Sequence, residues 1–203
     1  MFEAIILAIF SFIVGIISGI GYLGIFILMA LESMITPIPS ELVMPFAGFL
    51  VSQGKLSLVA VILAGALGCL AGSLISYYIG YLGGRPFVLR VGRYLLLHES
   101  DLKWTEGFFR KHGEKTIFIC RFIPAVRHVI SIPAGVGRMD IKKFSAYTFA
   151  GSLVWVSILT YAGILLGDNW KQLYSFTEKF DIIVIVLALI LIGIFVRRHI
   201  KRK

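Results

Sequence analysis

Charge is scarce in this 203-residue chain: Asp, Glu, Lys and Arg make up 15% of it, against about 25% in an ordinary soluble domain. A water-soluble globule needs more polar surface than that, so this class is excluded. Cysteine is scarcer still, with Cys69 and Cys120 alone in separate apolar stretches and neither a CxxC nor a histidine at ligand spacing. Both are read as buried thiols, with no disulfide and no metal site. Acids are outnumbered by bases, 11 to 20, yet the basic residues are not gathered with aromatics into a folded domain, which argues against a nucleic-acid partner. Walker A and GxSxG sequences are missing, and Gly19-Ile20-Gly21-Tyr22-Leu23-Gly24 matches a dinucleotide fingerprint by letter only, because no βαβ unit can surround it in so apolar a stretch. It is read as a packing or helix-break feature. No cofactor is expected. The first apolar run follows Met1-Phe2-Glu3 with no basic residue before it, so a cleaved signal peptide is not expected.

What fills the chain instead is apolar: 58% hydrophobic residues, 16 Phe and 21 Gly, with a mean hydropathy of +0.91. These residues fall in runs long enough to cross a bilayer, and the expectation is an all-α polytopic membrane protein forming a single domain. Spanning helices are expected at about 4–22, 57–80, 144–167 and 180–197. The last runs into Arg197, Arg198, Lys201, Arg202 and Lys203, which puts the C-terminus in the cytoplasm by the positive-inside rule. Lys55 and Lys171 then face outside. The basic stretch 81–115 reads as cytoplasmic, with an interfacial helix near 100–113, and Arg138, Lys142 and Lys143 are cytoplasmic as well.

Those assignments create a parity problem. Only one apolar stretch, 116–136, separates two cytoplasmic loops, and it carries Arg121, Pro124, Arg127 and Pro133. A charged side chain at mid-membrane costs roughly 2.5–3.5 kcal/mol on insertion scales. A re-entrant hairpin that enters and returns resolves both difficulties, provided that protein or a water-lined cavity covers its broken backbone. Residues 25–51, interrupted by Glu32, Pro37, Pro39, Glu41 and Pro45, are read as a second re-entrant hairpin entering from outside. Pro39-Ser40-Glu41 before Pro45-Phe46-Ala47-Gly48 is echoed by Pro124-Ala125-Val126-Arg127 before Pro133-Ala134-Gly135. Two facing hairpins, each followed by a spanning helix, make the pattern of an inverted repeat, which in transporters sets the binding site near mid-membrane.

Glu32, Glu41, Arg121 and Arg127 are the candidate binding residues, with His128, Ser40 and Ser131 as accessory candidates; His98, His112 and His199 read as solvated. Salt bridges holding the hairpins together are the structural alternative. Ionisable residues inside a membrane are by default functional: arginine forks match phosphate bidentately, and a carboxylate in low dielectric takes up a proton more readily. Two arginines against two ionised acids leave a nearly neutral cavity, and protonating either Glu leaves a positive one that favours an anionic head group.

Along Arg121-Phe122-Ile123-Pro124-Ala125-Val126-Arg127 and Ile132-Pro133-Ala134-Gly135, and along Glu32 to Glu41, Pro45 to Gly48 and Gly72 to Gly80, the chain resembles the DedA family, relatives of VTT-domain lipid scramblases. The resemblance covers roughly residues 20–165. It implies facing re-entrant hairpins in a bacterial plasma-membrane protein that moves lipid between leaflets, driven by the proton motive force, with the two acids and two arginines required. Undecaprenyl phosphate, carried to the cytoplasmic leaflet for reuse in cell-wall synthesis, is the expected substrate and protons the expected partner. Alternatives are a phosphatidylethanolamine or general phospholipid flippase and a proton-coupled exchanger of small solutes or ions. A lipid phosphatase is disfavoured because Ser131-Ile132-Pro133-Ala134-Gly135 lacks the histidine of such a motif, so no enzyme activity is expected. Self-association is left open.

Overall fold

A computed structural model of the chain describes residues 2–34, 39–92, 116–122, 127 and 130–167. The segment expected to span at 180–197, the interfacial helix near 100–113 and His128 lie outside the described residues. Met1–Leu165 form one compact unit and Leu166–Lys203 a second; everything below concerns the first. The described residues are helical, without strands: α1 Phe2–Ile20, α2 Tyr22–Glu32, α3 Ser40–Ser52, α4 Leu58–Gly92, α5 Thr116–Cys120, α6 Ser131–Val136 and α7 Ile141–Leu166.

Two stretches among the described residues are long and apolar enough to cross a membrane, Leu58–Gly84 in α4 and the whole of α7. Well under half of each is buried, unlike the core helix of a soluble protein. Leu82 and Leu165 are 80% and 84% exposed, apolar surface that suits lipid. By contrast α2 has 11 residues and α3 has 13, about 17 and 20 Å of helix, too short to cross a hydrocarbon core of about 30 Å.

Breaks in the helices have local causes. Gly21, with φ 56°, separates α1 from α2 in a conformation that only glycine adopts cheaply. Gly84 (φ 57°, ψ −167°) kinks α4 at the end of its apolar part. Pro45 inside α3 cannot donate to the Glu41 carbonyl one turn back. The start of α7 is capped by Asp140, whose carboxylate accepts the backbone N–H groups of Lys142 and Lys143 at 2.9 and 3.0 Å. Those bonds, the Lys143 one foremost, hold the Asp140 carboxyl below the usual carboxylate range.

Glycines set how closely the helices cross. A methyl group at Gly72 would collide with the Ala30 carbonyl, and one at Gly68 with the Phe26 carbonyl, so α2 lies backbone to backbone on α4. At the α3–α7 crossing, Gly48 meets the Thr160 carbonyl and Gly163 the Pro45 carbonyl. At the α4–α6 crossing, Gly135 meets the Tyr77 carbonyl and Gly80 the Ile132 carbonyl. These two crossings have the same form, with the paired positions three apart on every helix. Gly151 of α7 likewise packs on Phe118 and on the stem of Arg121, as Gly68 of α4 packs on Phe26 and Met29. Around the α4–α6 contact, Tyr77, Ile117, Cys120, Ile130, Ala134 and Phe144 form an apolar cluster.

Candidate functional site

The short helices bring charge into the interior. Glu32 ends α2, Ser40 begins α3, Arg121 follows α5 directly, and Ser131 begins α6. Glu32, Arg121 and Arg127 are 1%, 4% and 6% exposed. Together with Ser33, Cys69, Ser152 and Trp155 they line one small cavity.

Arg127 forms an ion pair with Glu32 and donates a hydrogen bond to the Ser40 hydroxyl. Its guanidinium lies over the Trp155 ring, 5.2 Å from the centroid, and the Trp155 indole N–H reaches the same Ser40 oxygen at 3.5 Å. Glu32 to Trp155 is thus one connected group through Arg127 and Ser40. Pairing and ring stacking are what make a charge tolerable at such burial.

Arg121 is placed differently. It donates to Thr148 Oγ1 at 3.1 Å, Ser131 Oγ at 3.3 Å and the Arg127 carbonyl at 3.4 Å. All three acceptors are neutral, and its Nε has no hydrogen-bond partner among the described residues. Among those residues no carboxylate reaches it. Among the described residues, an ion pair formed by Arg127 alone leaves the second guanidinium without a carboxylate partner in the cavity wall.

Among the described residues the wall therefore carries two arginines and one acid, where the sequence balance counted two acids. Glu41 sits in the first turn of α3, half-buried, and is not among the lining residues. Ser40 and Ser131 both bond an arginine. Trp155, Cys69, Thr148, Ser33 and Ser152 are absent from the sequence-derived candidates. A signal for most of them exists: Thr148, Ser152 and Trp155, and likewise Cys69, Ser73 and Ser76, recur at i, i+4 and i+7 in apolar helices, a polar stripe that marks one face. Ser76 uses it to bond the Ser33 carbonyl at 3.3 Å.

The cavity is about 10 Å³, room for about one water and far less than a phosphate group occupies. In this conformation the charged groups are closed off.

A VTT domain model matches residues 38–165. Undecaprenyl phosphate transporter A of Bacillus subtilis (strain 168) is 36% identical over 179 residues, 88% of this chain and 88% of the relative. Uncharacterized membrane protein YkoX of the same organism is 40% identical over 186 residues, covering 91% and 82%. Alkaline phosphatase-like protein of Lactococcus lactis subsp. lactis (strain IL1403) is 33% identical over 196 residues, covering 94% and 92%. No solved structure matches the chain. With buried arginines on broken helices and a family model matching well over half its length, the chain belongs to the VTT-domain, or DedA, family of membrane proteins.

Proposed function

We propose that the protein carries a lipid bearing a phosphate monoester, undecaprenyl phosphate above others, from the outer to the cytoplasmic leaflet of a bacterial plasma membrane, together with protons. The observation that carries this reading is Arg121: a buried guanidinium whose described partners are all neutral favours an anion beside it, because a buried unpaired charge is strongly destabilising. Phosphate suits the fork of Arg121 and the adjacent Arg127. A monoester, at about −1.5 to −2 near pH 7, gains more there than a diester or a zwitterion. The name of the Bacillus subtilis transporter supports the same substrate.

Proton coupling follows from competition. An anion drawn to Arg127 weakens the Glu32 ion pair, and a carboxylate losing its cation in a low dielectric takes up a proton. Anion binding and proton uptake then favour each other. Glu41, on the first turn of α3, is the second acid of this scheme. The short α2 and α3 fit arms of one re-entrant hairpin, and α5 and α6 fit a second. The matched glycine crossings of α3 on α7 and α6 on α4 support an internal repeat, inverted if the two hairpins enter from opposite sides. The basic residues after 196 favour a cytoplasmic C-terminus.

The test is reconstitution into liposomes with labelled undecaprenyl phosphate, its pyrophosphate and phosphatidylethanolamine, scoring translocation and inorganic phosphate release together. The monophosphate is expected to move fastest, and faster under an inwardly directed proton gradient. Arg121→Ala is expected to slow it about 10- to 100-fold, the equivalent of a charged hydrogen bond of about 1.5–3 kcal/mol. Equal rates for phosphatidylethanolamine would make the protein a general phospholipid flippase. Phosphate release would instead make it a hydrolase, in keeping with the name of the Lactococcus relative.

A further inference from the structure

Of the described residues that line the cavity, Glu32, Ser33, Cys69, Arg121, Arg127 and Ser152 are buried. Among the described lining residues Trp155 alone is half-buried, so it is the part of the described wall that also meets the outside. Its place on α7 explains this. At about 100° per residue, Thr148 and Ser152 lie about 20° and 60° from it on the buried side. Ile158 and Val154 lie about 60° and 100° from it on the other. Those two are 54% and 42% exposed, and with Leu153, Ser157 and Tyr161 they line an open, largely apolar groove on the outer face of the helix.

The indole thus stands between the arginines and the lipid-facing side of α7. It is held there by two contacts that a moving ring can break without disturbing the backbone: its face under the Arg127 guanidinium and its N–H at Ser40. We propose that Trp155 is the lateral gate of the arginine cavity, a positioning residue that keeps Arg127 on Glu32 and Ser40 while closed and swings aside to admit an anionic head group from the bilayer. The identity of what passes the gate rests on the lipid-transport reading; the gate itself does not. Loss of the ring unseats Arg127 and opens the cavity at once, so gating and the arginine's position are two faces of one contact.

Cys69, which lines the same cavity, reports the opening. With Cys120→Ala it is the chain's sole thiol. In the full-length C120A protein reconstituted into liposomes without substrate, Trp155→Ala is expected to raise the rate of Cys69 modification by a membrane-permeant maleimide about tenfold, the shift that a lost desolvated cation–π contact produces. Trp155→Phe, which keeps a ring face, is expected to stay near the parent rate. If the alanine variant is not recovered folded, Trp155→Leu serves, with a rise of about threefold expected from its missing ring face. An unchanged Cys69 rate in the folded Ala or Leu variant overturns the gate. The same measurement with undecaprenyl monophosphate added separates the two readings: protection of Cys69 in Trp155→Ala supports lipid entry past the gate, whereas a raised rate without protection keeps the gate and removes that lipid as its cargo.

Discussion

At the scale of single residues, the two arginines should answer mutation in opposite ways. Arg127 is paired with Glu32, so Glu32→Gln strands a buried charge and is expected to cost about 3–5 kcal/mol of stability. Arg121 has only neutral described partners, and Arg121→Met, which keeps an apolar stem and removes the charge, is expected to leave the unfolding temperature unchanged or to raise it while slowing anion transport as Arg121→Ala does. Thermal unfolding of the purified variants in detergent checks both, and a large loss of stability in Arg121→Met would make Arg121 a structural residue. All three charged groups were legible in the sequence because a charge inside an apolar run is conspicuous. Their division of labour was not, since a six-residue separation from Arg121 to Arg127 says nothing about which guanidinium meets the carboxylate. Trp155 was hidden for another reason: an aromatic ring in a hydrophobic helix is unremarkable until something lies over its face.

At the scale of helices, the crossings rest on missing side chains. Gly72→Ala, Gly135→Ala and Gly163→Ala each drive a methyl into a backbone carbonyl of the neighbouring helix, and each is expected to destabilise by about 1–3 kcal/mol. Gly19 in α1 has open space around its position, so Gly19→Ala is expected to be neutral or to stabilise by up to about 1 kcal/mol through helix propensity. Denaturation of the four purified variants decides, and uniform behaviour would mean that the close approach plays no part. The sequence marks Gly65, Gly68 and Gly72 as a packing face, small residues that recur in a clean apolar run and allow close helix approach. It did not identify the opposing carbonyls, because a carbonyl has no letter in a sequence.

At the scale of the whole molecule, the hairpin reading makes a claim about sides. Lys55 and Lys142 are both exposed. If residues 116–136 turn back, α4 is the single crossing between them, and Lys55→Cys should react with an impermeant maleimide on intact cells while Lys142→Cys reacts only after permeabilisation. Reaction of both from outside would mean that 116–136 crosses. The glycine contacts also bear on how such a molecule moves. Backbone lies on backbone between α2 and α4, between α4 and α6, and between α3 and α7, and carbonyls at contact cannot slide past one another without a clash. Gly65 of α4 is different: it faces the side-chain ends of Val156 and Met44, which can change rotamer. Among the described helices these crossings tie α2, α4 and α6 into one plate and α3 and α7 into another, meeting along a seam of side chains around Gly65. Glu32 and Cys69 belong to the first plate, Ser152 and Trp155 to the second. Shear along that seam would widen the cavity without melting a helix, and a bulky residue at position 65 would act as a wedge, jamming the plates at one separation.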